Sequence, residues 1–174
     1  MKLNKMNNKV KGFTLVELIV VIAIIGVLAA ILVPSMMGYV QKAKLNSANS
    51  NADSVFKAAA NACTELEVQG KVVNGTYGKT AAISTTDTDG FITKVNEGLS
   101  FKSSAIWAVE VVNGQPKSAA YAETDEDKYV GANPVQVTMD DINTGTLKGK
   151  TGSQGLEAAL AIGKGPTTGG GSGE

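Results

Sequence analysis

The chain has 174 residues, enough for one domain of ordinary size, and its 16 acidic residues are balanced by 16 basic residues that are all lysines. It has no arginine, the usual side chain for bidentate recognition of phosphates and bases, and no histidine, the commonest general base and metal ligand. We therefore expect no direct nucleic-acid binding and no histidine-dependent catalysis, and we assign no cofactor and no metal ligand.

Residues 1–12 form a short basic leader that holds four of the sixteen lysines and no acidic residue. Because positive charge is retained on the cytoplasmic side of a membrane, the leader is expected inside and the rest of the chain outside. Without the leader the chain carries 12 lysines against 16 acidic residues and is therefore acidic.

An apolar run follows the leader from Phe13 to Val33, and only Thr14 and Glu17 interrupt its 21 residues. As a helix rising about 1.5 Å per residue it would be roughly 31 Å long, which matches the hydrocarbon thickness of a bilayer. We predict that residues 13–33 span a membrane. A cleaved secretory signal or a simple membrane anchor is the alternative, but the run is longer than the apolar region of about 7–15 residues usual in such signals.

Glu17 is the unusual residue of this span, because a carboxylate in the apolar part of a membrane is costly and rare unless it has a function. One interpretation is that its side chain reaches the headgroup region. The other is that it meets a positive partner. A cut after Gly12 would free an amino group on Phe13, one helical turn away or on a neighbouring chain. A charge pair at low dielectric is strong enough to fix the register of two helices.

The stretch KGFTLVE at residues 11–17, with the lysine-rich leader before it and the apolar helix after it, resembles the type IV prepilin signature. Type IV pilins share this signature with the pseudopilins of type II secretion and competence systems. The resemblance implies that a membrane peptidase cuts between Gly12 and Phe13 and methylates the new amino terminus of Phe13. It also implies that Glu17 is the acidic residue used in filament assembly.

Gly26 and Pro34 fall where many members of this family carry a helix-weakening glycine and a kinking proline. Pro34 lacks a backbone donor and clashes with the preceding turn, so we expect it to kink the helix rather than end it. Apolar residues then recur at spacings of three and four and form one stripe within residues 34–69: Leu45, Ala48, Ala52, Val55, Ala59, Ala62 and Leu66. This pattern predicts an amphipathic continuation of the helix that ends near Gly70.

Residues 70–162 are predicted to form a globular, β-rich head. Residues 70–90 have the composition of an irregular connection, and residues 91–95 are expected as a short helix or an edge strand. Two apolar runs, 104–112 and 117–123, are separated by a turn that contains Asn113 and Gly114, which predicts a β-hairpin.

The rest of the head is less regular. Further strands are expected at 128–131 and 134–138, and a short helix at 156–162. Residues 163–174, with six glycines in twelve residues, are expected to be a flexible tail. The fold class is therefore α+β and pilin-like: a long, kinked amino-terminal helix packed on a small antiparallel sheet.

Two loop motifs suggest other sites only weakly. Residues 78–80 (GKT) are similar to the end of a P-loop, but the first glycine that this motif requires would sit at Val73. Residues 87–90 (DTDG) resemble part of a calcium loop, yet the position of the closing acidic ligand is Gly98. The run Asp125-Glu126-Asp127 is expected as a solvated turn, and calcium binding by the head is left open.

Cys63 is the only cysteine, so no intramolecular disulfide can form, and it is expected as a small buried apolar residue. Many Gram-negative members of the family close a loop near the carboxyl terminus with a disulfide. Its absence here favours a Gram-positive or anaerobic source.

The resemblance implies a structural protein rather than an enzyme: a subunit of a type IV pilus that serves adhesion or motility. The implied partners are further copies in a helical filament, the prepilin peptidase, an assembly ATPase and platform protein, and the membrane that holds the unprocessed chain before it joins a filament at the cell surface. One alternative is a pseudopilin of a type II secretion or DNA-uptake system. A more distant one is a membrane-tethered binding module whose leader stays attached.

Overall fold

A computed structural model of the chain describes residues 12–78, 87 and 89–165. Residues 1–11 of the leader and residues 166–174 of the predicted tail lie outside the described residues. Its contacts divide the chain into two units, Met1–Val40 and Gln41–Glu174, and the division falls inside the first helix, α1 (Leu15–Val68).

The first unit contains the amino-terminal part of α1, and every described side chain from residue 12 to residue 40 is exposed. Most of these side chains are large and apolar. Within the described residues, α1 is the one helix whose length and composition suffice to cross a membrane. Its exposed apolar stretch continues past the predicted limit of Val33, since Met36, Met37, Tyr39 and Val40 are also exposed.

Pro34 lies inside α1, which continues beyond it to Val68. A kink at this residue stays a prediction. The helix ends as expected near Gly70, which has a left-handed φ of 75°. The Gly70 amide donates to the Glu67 carbonyl at 2.9 Å and the Lys71 amide donates to the Leu66 carbonyl at 2.9 Å. This pair of bonds is a Schellman motif, in which glycine adopts the left-handed conformation without steric cost.

The second unit contains a four-stranded antiparallel sheet in the order β1-β2-β3-β4. Its strands are β1 (Gly75–Gly78), β2 (Ile106–Val112), β3 (Gln115–Ala122) and β4 (Gly131–Asn133). The helices that follow α1 are α2 (Phe91–Glu97), α3 (Met139–Asn143) and α4 (Gly152–Gly163). The α+β prediction is confirmed, as are the hairpin and the helix near the carboxyl end, and of the two alternatives for residues 91–95 the structure has the helix.

The predicted hairpin is formed by β2 and β3, joined by the two residues Asn113 and Gly114. Both have positive φ values, 53° and 71°, which is the geometry of a type I′ turn and explains why Asn-Gly is favoured there. The turn is also tied to the segment before β1, because the Gly114 amide donates to the Val73 carbonyl at 3.0 Å.

The sheet is covered on both faces rather than on one. Trp107, Val109 and Val111 of β2 pack in the cluster that holds the apolar stripe of α1. Ile106 and Ala108, which point to the other face, pack with residues of α4 such as Leu156 and Leu160. Alternate residues of one strand therefore fill two cores, and the sheet lies between α1 and α4.

Asn49 is a buried polar residue on the sheet-facing side of α1, with 3% of its surface exposed. Its Oδ1 accepts hydrogen bonds from the amides of Ala132 (3.0 Å) and Val137 (3.1 Å), and its Nδ2 donates to the Val137 carbonyl (2.9 Å). The helix approaches this region closely: a Cβ added to Gly131 would lie 2.1 Å from the Ala48 carbonyl carbon. One side chain thus joins α1 to β4 and to the segment that follows it.

The prediction of a strand at residues 134–138 is wrong because Asn49 bonds to the backbone of this segment. Both backbone groups of Val137 bond to Asn49 instead of to a neighbouring strand. Thr138 then ends the segment as the cap of α3, with its hydroxyl accepting from the Asp141 amide. The predicted strand at 128–131 corresponds to β4, which begins only at Gly131.

Residues 70–90 also differ from the predicted irregular connection, because they contain β1. Gly75 and Gly78 are the first and last residues of this strand, and glycine is uncommon in strands. Gly78 is required by the packing, since an added Cβ would lie 2.5 Å from the Trp107 carbonyl oxygen.

We expect Asn49→Ala to destabilise the second unit by about 2–4 kcal/mol, because two buried amides and one carbonyl lose their partner. Urea unfolding of the full-length protein in detergent micelles measures this through the fluorescence of Trp107, the only tryptophan, which is buried. The matched control is Asn46→Ala, on an exposed position of the same helix, which should change the unfolding midpoint little. Equal midpoints for the two variants would contradict the role of Asn49.

Candidate functional site

The amino end of α1 carries a reciprocal set of hydrogen bonds between Thr14 and Glu17. Glu17 Oε2 accepts from the Thr14 amide at 2.8 Å and from the Thr14 hydroxyl at 2.7 Å. The Glu17 amide in turn donates to Thr14 Oγ1 at 3.2 Å. The Leu18 amide donates to the Thr14 carbonyl at 3.2 Å, which is the first bond of the helix. Thr14 is therefore the N-cap, and the two residues form a capping box.

This geometry places Glu17 in the first turn of the helix, where a negative charge interacts favourably with the helix dipole. Only one of its two carboxylate oxygens takes part in the capping box. Within the described part of the chain, Oε1 has no hydrogen-bond donor. The carboxylate is thus held in one orientation with its second oxygen available.

Gly12 and Phe13 come directly before the capping box and have no regular secondary structure. Phe13 is 85% exposed, and a Cβ added to Gly12 would meet no atom within 4 Å. The structure therefore brings the predicted cleavage position and Glu17 to the same end of the helix. Their roles in processing and assembly stay predictions.

Gly26 and Pro34, the two residues predicted to loosen the helix, both lie in its exposed apolar part. An added Cβ at Gly26 would meet no atom within 4 Å, so no contact within the chain requires glycine there. Near Pro34, the Ser35 hydroxyl donates to the Leu32 carbonyl at 2.8 Å. This bond does not replace the one missing at Pro34, because the carbonyl four residues before the proline is that of Ala30.

The role of Thr14 as a cap was not predicted from the sequence. A signal for it is present, because a threonine followed three residues later by glutamate, just before an apolar run, is the sequence pattern of a capping box. The apolar helix that follows is exposed on all faces. Such a surface requires lipid or other protein to cover it.

Where the structure describes the residues of the weaker candidate sites, several of their side chains form hydrogen bonds within the fold. The carboxylate of Asp87 accepts from the amides of Ile92 (2.8 Å) and Thr93 (3.0 Å) and so caps α2. Burial of Asp87 acts to raise the pKa of its carboxyl, but the hydrogen bonds from Thr93 and Ile92 together lower that pKa below its ordinary value. Gly78 belongs to β1, whereas Lys79, Thr80 and Thr88 lie outside the described residues.

The run from Asp125 to Asp127 is also used within the fold. Asp125 Oδ1 accepts from the Ser153 amide at 3.2 Å, and Asp127 Oδ1 accepts from the Tyr129 amide at 3.0 Å. No group of three or more potential metal-binding side chains occurs among the residues that the structure describes.

Cys63, a residue of α1, is buried in the core cluster as expected, with 3% of its surface exposed. Burial, together with the nearby charge of Glu67, raises the pKa of its thiol to about 11. The thiolate is therefore scarce at neutral pH, which suits a packing role rather than a reactive one.

Comparison with known proteins places these features in context. A family described as the prokaryotic N-terminal methylation motif matches residues 7–33. A fimbrial protein of Neisseria meningitidis serogroup B is 29% identical over 144 residues, which are 74% of this chain and 82% of that protein. No solved structure matches the chain.

Two further relatives align over shorter stretches. The fimbrial protein EcpC of Eikenella corrodens is 37% identical over 95 residues, 48% of this chain and 60% of its own. The type IV major pilin protein PilA of Myxococcus xanthus is 38% identical over 58 residues, 33% of this chain and 26% of its own. The chain therefore spans less than two thirds of these two relatives. All three come from Gram-negative bacteria, so the comparisons do not support the Gram-positive or anaerobic source that we expected from the single cysteine.

We expect Thr14→Val to open the first turn of α1, because the Glu17 amide loses its acceptor and the carboxylate loses a donor. The loss of an N-cap is typically worth about 1 kcal/mol, so amide hydrogen exchange at Glu17 should be about fivefold faster. The measurement is made on the full-length protein in detergent micelles. Thr14→Ser keeps the hydroxyl and should exchange like the wild type; equal rates in all three proteins would contradict the capping box.

Proposed function

We infer that this chain is a member of the type IV pilin family and serves as a structural subunit of a type IV pilus rather than as an enzyme. One observation carries this proposal. The Glu17 carboxylate is held in a capping box at the start of α1, and the chain from residue 12 to residue 40 is exposed and mostly apolar. Its relatives are named as fimbrial proteins and type IV major pilins, which favours a pilus over the pseudopilin alternative.

The first step of the proposed mechanism is membrane anchoring. Residues 13–40 would extend roughly 42 Å as a helix, which is longer than the apolar core of a bilayer at about 30 Å. With the lysine-rich leader inside the cell, the second unit lies outside. The prepilin peptidase then cuts between Gly12 and Phe13 and methylates the new amine.

The second step is assembly. A membrane-anchored subunit exchanges lipid for the helices of other copies, so its apolar surface stays covered throughout. The amine of Phe13 on one subunit pairs with Oε1 of Glu17 on an adjacent subunit, an oxygen that has no donor among the described residues. In an apolar surrounding such a pair is strong, and an unpaired charge is strongly disfavoured, so the pair sets the register of the helices. An assembly ATPase and a platform protein supply the work of extraction from the membrane.

The test of this proposal is mass spectrometry of material sheared from intact cells. Trypsin cuts after Lys11, so an unprocessed chain gives a peptide that begins at Gly12, and a processed chain gives one that begins at Phe13 and carries one additional methyl group. We expect the methylated Phe13 peptide in the sheared fraction. Gly12→Glu is the control that should retain its leader.

Two results would contradict the pilus proposal. A peptide that still begins at Gly12 in wild-type cells would mean that the chain is a membrane anchor with an attached leader. A methylated Phe13 peptide found only in the membrane fraction would mean that the chain is processed but does not form a surface filament, as for a pseudopilin.

We expect Glu17→Val to leave processing intact and to reduce sheared filaments at least about tenfold, because the Phe13 amine would be buried without its partner. Immunoblots of sheared and membrane fractions measure the filament yield, and the peptide from Phe13 reports processing. Glu126→Val removes a carboxylate from an exposed turn of the second unit and should assemble normally. Wild-type filament yield from Glu17→Val would refute the role of Glu17 in assembly.

A further inference from the structure

Two adjacent methionines, Met36 and Met37, lie in the exposed apolar part of α1. The two residues are 60% and 56% exposed, and they follow directly after Pro34 and Ser35. Without the leader the chain has only one other methionine, Met139, which is partly buried at the start of α3. The thioether sulfurs of the processed chain are therefore concentrated at one exposed point of the helix.

The length of the helix indicates where this pair lies while the subunit is in a membrane. Residues 13–33 alone extend roughly 31 Å, the thickness of the apolar core. Met36 and Met37 come roughly 5–6 Å further along the axis, which is the outer headgroup region when the lysine-rich leader is inside. Unlike the apolar core, this region contains water, so a small oxidant dissolved outside the cell reaches the two sulfur atoms.

We propose that Met36 and Met37 form an oxidation site that controls whether a subunit can join a filament. The thioether sulfur attacks one oxygen of hydrogen peroxide, an S–O bond forms and the O–O bond breaks. After proton transfer to the leaving oxygen, the products are a sulfoxide and water. The sulfur has lost two electrons and the peroxide has gained them. The proposal rests on the proposed pilus function and adds a control on its assembly step.

The proposed assembly makes the oxidation state of these side chains decisive. A thioether is apolar and flexible and fits between packed helices, whereas a sulfoxide oxygen is a polar acceptor. In the headgroup region water donates to this oxygen. Water is removed when other copies cover the helix, and an unpaired polar group is then costly. A subunit oxidised at Met36 or Met37 therefore stays in the membrane, whereas a subunit already in a filament has both sulfur atoms covered.

A pulse of oxidant on cells without filaments tests this site. Filaments are sheared off, the cells are treated briefly with hydrogen peroxide, free methionine stops the reaction, and new filaments are allowed to form. Trypsin releases residues 13–42 of the processed chain as one peptide that contains both methionines, because Lys42 is its first lysine. We expect the fraction of this peptide that carries sulfoxide to be at least about tenfold lower in the new filaments than in the membrane fraction.

Met139 is the internal control, because it lies outside the apolar part of α1. It is the only methionine in the tryptic peptide 129–148, and its sulfoxide should be equally frequent in the two fractions.

Filament yield gives a second readout. Peroxide should reduce the yield of new wild-type filaments about tenfold, since oxidised subunits do not assemble. M36L/M37L replaces both sulfurs with apolar side chains of similar volume and should stay within about twofold of its own untreated yield. The matched variant M139L retains the pair and should lose yield as the wild type does.

Three results would overturn the proposal: equal sulfoxide fractions of peptide 13–42 in filaments and membrane, a membrane fraction without sulfoxide in this peptide, or a loss of yield in M36L/M37L as large as in the wild type. If M36L/M37L does not assemble even without peroxide, the comparison of the two fractions in wild-type cells decides alone. If untreated wild-type cells yield no sheared filament, it is the pilus function that fails.

Discussion

The structure depends on how the apolar surface of α1 is covered. From residue 12 to residue 40 every described side chain is exposed, whereas from Leu45 to Leu66 one stripe is buried against the sheet. Exposed apolar surface of this extent is not stable in water and requires lipid or other helices. A single helix thus has two parts with different surroundings, and this division fits the proposed transfer of its apolar part from a membrane into a filament.

Packing in the second unit follows from small side chains on α1. Alanines at positions 48, 52, 59 and 62 form most of the buried stripe and allow the backbone of β4 to approach at Gly131. A close approach of two backbones leaves polar groups that need partners, and Asn49 supplies them for Ala132 and Val137. The apolar stripe therefore provides the contact area, and one buried amide determines which segment occupies it.

The sequence was most informative where local rules decide the structure. The spacing of the α1 stripe, the turn at Asn113 and Gly114, and the stop at Gly70 all depend on neighbouring residues, and all are confirmed. The errors occur where distant residues decide. Residues 134–138 look like a strand, but Asn49, 88 residues from Val137, takes the backbone groups of Val137. The packing of α4 on the second face of the sheet was also not predicted. The nearly continuous apolar run of β2 is nevertheless typical of a strand buried on both faces.

The capping box and the proposed intermolecular pair use different oxygens of the same carboxylate. Because Thr14 occupies Oε2 alone, an amine from another subunit can reach Oε1 without breaking the first turn of the helix. A carboxylate with no local donor would rotate freely and would lose side-chain entropy when it binds its partner. The Glu17 carboxylate has already lost that freedom, because Thr14 holds it. The short spacing between Thr14 and Glu17 therefore does two things: it begins the helix, and it orients the charge on which assembly is proposed to depend.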